Sequence, residues 1–152
     1  MLHYIQSAWD GVVGPFLRRT KHPQMAAMCH RDTEDGREYL LITSRDTGRW
    51  IIPKGWPIDG LSPVDTALQE AWEEAGVRGT ATSDDPIGTY CYDKGLDDGS
   101  ALPVEAQVFS IAVTDMLPTF PEAAERTLKW VDAETAASLV NEPELQALFL
   151  NQ

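Results

Sequence analysis

Three glutamates on one short predicted helix are the residues of this sequence best suited to chemistry. Glu70, Glu73 and Glu74 share an arc of about 100° on that helix. The helix offers them no Lys or Arg three or four residues away, so their charges repel by a few tenths of a kcal/mol at each spacing. Carboxylate oxygens are the ligands that Mg²⁺ prefers, often together with substrate phosphates. The pattern predicts a metal site, with a solvated helix face as the alternative.

A helix from about Pro63 to Ala75 must hold these side chains. Ser62 before Pro63 is a strong helix-start signal, because the hydroxyl can cap a free backbone N–H and proline is tolerated in the first turn. Gly76 is the usual left-handed terminator. The opposite side of the helix is apolar and is predicted to face the core: Val64, Ala67, Leu68, Ala71, Trp72 and Ala75.

The loop before the helix is constrained, with four prolines and glycines at Pro53, Gly55, Pro57 and Gly60. A rigid loop of this kind lets backbone approach a ligand closely. We therefore expect the loop and the acidic face of the helix to form one site.

The remaining elements predict a mixed sheet with helices. Residues 24–31, 38–45 and 49–53 read as strands, the first two joined as a hairpin by "DTEDG". Further strands are predicted at 88–94 and 104–115, and a helix at 132–140, with 143–150 extending or following it. The order of strands, helix, strands and helix predicts an α+β or layered α/β/α domain.

Composition narrows the class of protein. The 152 residues carry a formal net charge of -12, which disfavours nonspecific nucleic-acid binding. No apolar stretch approaches the roughly 18 residues of a membrane span. Cys29 and Cys91 lie in strand-like runs and suggest buried thiols in a reducing compartment. We expect a cytoplasmic protein with one site.

Residues 55–77, "GWPIDGLSPVDTALQEAWEEAGV", resemble the Nudix box, the loop-helix-loop signature of hydrolases that cleave nucleoside diphosphates linked to another moiety. Six positions match in register: Gly55, Glu70, Glu73, Glu74, Gly76 and Val77. The flanking "LLITSRDTGRWIIPKG" and "PEAAERTLKWVDAETAASLV" look like the family's entry strands and its final strand and helix. The resemblance implies the Nudix fold, an α/β/α sandwich around a mixed sheet.

Two positions depart from the box. Leu61 stands where the family has its first glutamate, and Gln69 stands where it has arginine. An arginine beside the acids would offset their charge, whereas an amide can only donate hydrogen bonds. The departures either compensate each other or mark a weakened enzyme. A catalytically weak or silent Nudix-fold ligand-binding or regulatory module is thus the alternative to an active hydrolase.

The resemblance implies catalytic and metal-binding roles for Glu70, Glu73 and Glu74. We predict that Mg²⁺ or Mn²⁺ binds these acids with help from the backbone carbonyl at or near Gly55. Either Glu73 or Glu74 is our choice for the general base. Acids outside the box that can contribute are Glu105, Glu122 and Glu125. The dication would bridge the phosphates and lower the pKa of an attacking water.

The entry "SRDTGRWIIPKGWP" is most similar to that of the diphosphoinositol and dinucleoside polyphosphate phosphohydrolases, which implies a small-molecule phosphoanhydride substrate. Arg45, Arg49, Lys54 and Lys21 are the predicted phosphate-binding residues, with Arg18 and Arg19 possible additions; Arg45 and Arg49 can instead belong to an exposed turn. Five aromatic residues are candidates to stack on a base, although Trp50 is better suited to the core: Tyr4, Trp9, Trp50, Trp56 and Tyr92.

The predicted organisation is an N-terminal extension, residues 1–22, packed on a Nudix hydrolase domain, residues 23–152. We expect no nucleic-acid polymer or membrane partner. A monomer and a homodimer are both compatible with the sequence.

Overall fold

The computed structural model describes residues 20–152, which form one mixed sheet between two helical layers. The order of elements is β1 (His22–Thr33), β2 (Gly36–Thr43), β3 (Trp50–Ile51), β4 (Lys54–Gly55), α1 (Pro63–Ala75), β5 (Val77–Ala81), β6 (Gly88–Gly95), β7 (Ala101–Met116), a 3-10 helix (Ala123–Glu125), β8 (Leu128–Val131), α2 (Ala133–Leu139) and α3 (Pro143–Leu150).

Two long strands from distant parts of the chain form the centre of the sheet. β1 pairs in parallel with β7, from His22 opposite Val104 to His30 opposite Ala112. β1 also pairs antiparallel with β2 near one end and with β4 near the other. β7 pairs antiparallel with β5 and β6, while β3 and β8 pair with β2. The sheet is therefore mixed, as predicted.

Alternation along the central strands divides the core into two halves. In β1, Ala26 and Met28 face the layer of α2 and α3, and Ala27 and Cys29 face α1. Successive strand residues point to opposite faces, so continuous apolar runs are needed where both faces are covered. The predicted α/β/α sandwich is confirmed.

The predicted helix and hairpin are confirmed. α1 spans Pro63–Ala75 as predicted, and β1 and β2 pair up to Thr33 opposite Gly36. The C-terminal region contains two helices, because α2 ends at Leu139 and Pro143 begins α3. Among the described residues, no helix is both long and apolar enough to span a bilayer.

Two strands were not predicted from the sequence: the two-residue β4, which lies in the predicted loop, and β5. β5 contains Gly79, lies just after the helix terminator, and shifts register against β7 between Arg78 and Gly79. A Cβ at Gly79 would lie 2.4 Å from the Ala112 carbonyl oxygen. Glycine in a strand lowers its local β signal while permitting this close approach.

Candidate functional site

α1 is fixed at both ends by local chemistry. The Ser62 hydroxyl accepts a hydrogen bond from the backbone N–H of Asp65 at 3.2 Å. Gly76 ends the helix at φ 70°, and its N–H donates to the Trp72 carbonyl at 3.0 Å. Together with burial of the apolar face, these caps fix the rotation of the helix and hence the direction of its acidic side.

Glu70 and Glu74 form the centre of the candidate site. Their carboxyl groups are joined by a hydrogen bond. The backbone at Gly55 packs directly against Glu70, since a Cβ at position 55 would lie 2.2 Å from Glu70 Oε1. Glu74 is buried and accepts a weak hydrogen bond from the Lys54 N–H at 3.4 Å. The loop and the helix thus meet through these two acids, as the sequence predicts.

The pair is held in an environment that disfavours two full negative charges. Burial, followed by the hydrogen bond to Glu74, raises the pKa of Glu70 to about 8. Burial also raises the pKa of Glu74, although the hydrogen bond from Glu70 and the charges of Arg126 and Lys54 oppose that rise. Without metal, both shifts favour retention of one proton near neutral pH, and that proton belongs to the pair and not to either glutamate alone.

Glu73 has a different hydrogen-bond partner from the other two acids. Its Oε1 accepts a hydrogen bond from Gln69 Nε2 at 3.2 Å, and its negative charge contributes to raising the pKa of Glu70. Within residues 20–152 no three His, Cys, Asp or Glu side chains are close enough together to hold a metal ion. The structure joins two of the three predicted acids, and a ligand role for Glu73 stays a prediction.

A buried arginine lies against the acidic pair. The Arg126 side chain is 5% exposed, and its guanidinium lies 3.4 Å from Glu74 Oε1 and 2.8 Å from Glu122 Oε1. Arg126 also donates to the Thr43 carbonyl at 2.7 Å. Of the three extra acids, Glu122 thus reaches the site. Glu125 forms an exposed pair with Arg45 at 3.5 Å.

A cleft of about 570 Å³ opens beside Glu74. Its lining includes five cationic side chains: Arg45, Arg49, Lys54, Lys94 and Arg126. Four acidic side chains share the lining, Asp46, Glu74, Asp93 and Asp97. The cations thus slightly outnumber the acids here, whereas the chain as a whole has a net charge of -12, and this local balance suits a phosphate-rich ligand better than the rest of the surface does. The structure therefore brings three of the four predicted phosphate-binding residues to one cleft.

Two more of these cations, besides Arg45 and Arg126, are held by neighbouring side chains. Arg49 pairs with the buried carboxylate of Glu142 at 2.9 Å. Lys54 Nζ lies 5.0 Å from the centroid of the Tyr92 ring, and the Tyr92 hydroxyl donates to Gln24 Oε1. Burial lowers the pKa of Lys54 to about 8. An anion in the cleft would favour its charged form.

The fourth predicted cation, Lys21, is not among the residues that line this cleft. Its amine donates to Cys91 Sγ at 3.1 Å. Glu105 lies on the same side of the sheet, 3.8 Å from that sulfur. Direct phosphate contact by Lys21 thus has no support from the cleft. Arg18, Arg19, Tyr4 and Trp9 lie outside the described residues.

The other predicted positions separate into core and surface. Cys29 is fully buried, and burial raises the pKa of its thiol to about 12. Trp50 packs against the core on the α2 and α3 side, while Trp56 is exposed. Of the five aromatic candidates for stacking, Tyr92 lines the cleft.

The sequence alone did not indicate Lys94 or Arg126 as residues of the site. Lys94 ends a predicted strand, and Arg126 precedes a predicted one, so each resembles an ordinary surface charge. Only pairing of β6 with β7 and of β8 with β2 brings them to the cleft. The sequence offers one indication of their role: the chain has only 12 basic residues against 24 acidic ones, so each basic residue is a candidate for binding phosphate.

The residues present fit a hard divalent cation. Two neighbouring carboxylates, the buried Glu74 and the half-buried Glu70, share a proton that a dication can replace, and the absence of a side chain at Gly55 leaves its backbone against Glu70. All donors are oxygens, which suits Mg²⁺ or Mn²⁺.

Comparison with known proteins gives one consistent family. A model described as NUDIX domain matches residues 21–150. Nudix hydrolase 16, mitochondrial, from Arabidopsis thaliana is 30% identical over 117 residues, which are 74% of this chain and 64% of that protein. The chain thus spans less than two thirds of the length of this relative. Diphosphoinositol polyphosphate phosphohydrolase 3-alpha from Mus musculus is 26% identical over 133 residues, 83% of this chain and 76% of that protein.

Solved structures give the same fold. The crystal structure of the C. elegans Ap4A hydrolase superposes with a TM-score of 0.64 at 20% sequence identity, and the match covers 86% of this chain and 95% of that chain. At this identity the similarity establishes the three-layer architecture alone.

Proposed function

The chain belongs to the Nudix family, and from that premise we propose that it hydrolyses a phosphoanhydride bond by attack of water, using Mg²⁺ or Mn²⁺. The proposed substrate is a small polyphosphate of the dinucleoside polyphosphate or diphosphoinositol polyphosphate type. Relatives that carry the names Ap4A hydrolase and diphosphoinositol polyphosphate phosphohydrolase support this class.

One observation carries the proposal: the Glu70–Glu74 pair adjoins a cleft lined by cations. Two acids that share a proton can bind a dication in its place, and the cations of the cleft can bind phosphates. Glu74 belongs to both groups, because it is hydrogen bonded to Glu70 and lines the cleft. Metal and phosphate would therefore meet at Glu74.

Glu70 and Glu74 would hold the metal, with the Gly55 carbonyl and Glu73 as the further ligands that the family resemblance implies. When bound, the ion supplies positive charge for the phosphate oxygens and favours ionisation of an attacking water. Arg45, Arg49, Lys54 and Lys94 would bind and orient the phosphate chain.

Glu70 must lose its proton before it can act as a ligand, so a metal-loaded site requires a proton to leave the pair. Glu73 and Glu74 are the candidates for the general base. Glu73 is the more accessible of these two, and its hydrogen bond from Gln69 fixes the carboxylate without adding charge.

A turnover assay tests the proposal. Purified protein with Mg²⁺ or Mn²⁺ is incubated with diadenosine polyphosphates, diphosphoinositol phosphates, ADP-ribose and nucleoside triphosphates, and products are identified by chromatography. Hydrolysis in ¹⁸O-labelled water locates the attacked phosphorus by mass spectrometry. We expect turnover of at least one compound of the first two classes.

Charge-neutral variants of the acids test the assigned roles. We expect Glu70→Gln, Glu73→Gln and Glu74→Gln each to lower kcat by at least about 100-fold, because a catalytic metal contributes several kcal/mol to the transition state. Glu38→Gln is the matched control, since Glu38 pairs with Arg31 on the β1–β2 hairpin. Rates equal to wild type in all three variants would refute the roles.

Metal binding has a readout that is independent of turnover. Binding at a hundred times the dissociation constant stabilises a protein by about 2.7 kcal/mol, which is about 5–10 °C in Tm for a domain of this size. We expect such a shift with Mg²⁺ or Mn²⁺ in wild type and a smaller one in Glu74→Gln.

Gln69 favours a second candidate, the catalytically weak or silent binding module. The family box has arginine at this position, and here the amide adds no charge. If no compound in the panel is hydrolysed while one of them raises Tm or binds in calorimetry, the binding module replaces the hydrolase.

A further inference from the structure

Gln69 leaves the acidic face of α1 without a cation of its own. No Lys or Arg occurs within Pro63–Ala75, and the Gln69 amide is engaged with Glu73. The Glu70–Glu74 pair therefore needs positive charge from another element.

Arg126 meets this need from the segment between the 3-10 helix and β8. Its guanidinium lies 3.4 Å from Glu74 Oε1, and both side chains are more than nine-tenths buried. Arg126 also binds Glu122 through two nitrogens, at 2.8 and 3.2 Å. A buried arginine with several carboxylate contacts is an oriented, permanently charged group.

We propose that Arg126 is a positioning residue that replaces the missing arginine of the acidic helix and holds Glu74 for metal binding. This inference rests on the proposed function. It assigns the charge that offsets the acids to an element far from α1 in sequence.

Backbone contacts fix where Arg126 stands. Thr127 and Thr43 exchange two hydrogen bonds, from Thr43 N to the Thr127 carbonyl at 3.0 Å and from Thr127 N to Thr43 Oγ1 at 2.9 Å. Arg126 adds its own bond to the Thr43 carbonyl. The segment is thus anchored to the end of β2, independently of α1.

A second anchor joins the same segment to α1. Glu122 N donates to the Glu73 carbonyl at 3.0 Å near the end of the helix. Arg126 and Glu122 therefore bridge β2 and α1, and Arg126 contacts Glu74 on that helix. Displacement of Arg126 would free the Glu74 carboxylate without removing a residue of the box.

Variants that remove the positive charge at position 126 and restore one at position 69 test the inference. Mn²⁺ affinity is measured by calorimetry, and kcat and KM are measured on a substrate from the panel, for wild type, Arg126→Gln, Arg126→Lys and the double variant Gln69→Arg/Arg126→Gln. We expect Arg126→Gln to weaken Mn²⁺ affinity by about 10–100-fold, as for other residues that orient metal ligands. Its main kinetic effect should be on kcat.

The other two variants separate positioning from folding. Arg126→Lys keeps the charge without the planar fork and should lose less than Arg126→Gln. The double variant restores a cation beside the acids and should recover at least 10-fold of the lost Mn²⁺ affinity, although the Thr43 and Glu122 contacts of Arg126 stay absent. Arg37→Gln is the control, because Arg37 pairs with Asp32 on the β1–β2 hairpin and its loss should leave Mn²⁺ affinity unchanged.

The result that overturns the inference is an Arg126→Gln protein, or an Arg126→Lys protein if the former does not fold, that binds Mn²⁺ as wild type does. Failure of a folded double variant to regain affinity has the same meaning. If wild type hydrolyses nothing but Arg126→Gln still loses Mn²⁺ affinity, the proposed function fails and the role of Arg126 stands.

Discussion

At the scale of single residues, the contact between Gly55 and Glu70 limits where the Glu70 carboxylate can lie in the proposed metal site. A methyl group at position 55 would overlap the Glu70 carboxylate, with contacts of 2.2 and 2.8 Å to its two oxygens. The overlap is with the end of a side chain, so Glu70 would move while the backbone stays. Gly55 is therefore needed for the position of the Glu70 carboxylate and not for the backbone fold.

We therefore expect Gly55→Ala to weaken Mn²⁺ affinity by at least about 10-fold while the protein stays folded. Calorimetry measures the affinity, and circular dichroism measures folding. Gly95→Ala is the matched control for affinity, since a Cβ there meets nothing within 4 Å. Equal Mn²⁺ affinities in the two variants would show that Glu70 is not held by this contact.

The shared proton gives a second prediction at this scale. Glu70 has a folded-state pKa of about 8 against an ordinary value of 4.5, so the folded metal-free protein binds more protons than the unfolded chain between those values. Stability from this group is fully present below pH 4.5 and is lost as pH rises towards and through 8.

Melting temperatures measured from pH 5 to 7.5 in the presence of a chelator test whether stability falls as pH rises. Wild type should lose stability relative to Glu70→Gln as pH rises, because the amide does not titrate. The difference between the two proteins removes the contribution of His30, whose pKa is lowered by burial. A difference that is constant with pH, or that changes in the opposite direction, would contradict the assignment.

At the scale of secondary structure, α1 is the element on which the site depends, and its C-terminal glycine is the most constrained position. Gly76 has φ 70°, and a Cβ there would lie 2.4 Å from the Leu117 carbonyl oxygen and 2.5 Å from the Phe120 ring. Its carbonyl also accepts from the Leu117 N–H at 2.9 Å. The helix end is thus fixed to the segment that follows β7.

Gly76→Ala should cost at least about 2 kcal/mol in free energy of unfolding, because a left-handed alanine is strained by about 1–2 kcal/mol before any backbone clash. Ser62→Ala, which removes the other cap, should cost about 1 kcal/mol. Urea denaturation measures both. A smaller loss for Gly76→Ala than for Ser62→Ala would refute the importance of the contact with Leu117.

Sequence reasoning was most successful for this element because its determinants are local. Ser62, Pro63 and Gly76 define both ends of α1, and the Nudix-box spacing identifies Glu70 and Glu74. β5 was missed because Gly79 weakens its strand pattern. Arg126 was missed because its partners, Thr43 and Glu74, are remote in sequence and depend on the pairing of β2 with β8.

At the scale of the whole molecule, the distribution of charge matters more than its total. The chain has 24 acidic and 12 basic residues, whereas one cleft is lined by five of the basic residues and four of the acidic ones. A polyphosphate would be repelled by most of the surface and attracted at the cleft. Such focusing depends on ionic strength.

Lys94→Gln should raise KM by about 10-fold at low salt, the size expected for loss of one charged contact of about 1.5 kcal/mol. The ratio of the variant KM to the wild-type KM should fall as NaCl is raised. Lys129→Gln is the control. Lys129 belongs to β8, its amine lies over the Trp50 ring, and it is not among the residues that line the cleft. Equal effects of the two substitutions on KM would remove Lys94 from the cleft's phosphate-binding set.

The parallel pairing of β1 with β7 has a consequence for how the protein is made. During translation, α1 and the glutamates of the Nudix box are synthesised before β7. β1 therefore lacks its parallel partner strand at that point. Contacts that are distant in sequence close late and slowly. The nascent chain therefore exposes the apolar residues of β1 until β7 emerges. The central sheet can form only after β7 has been synthesised.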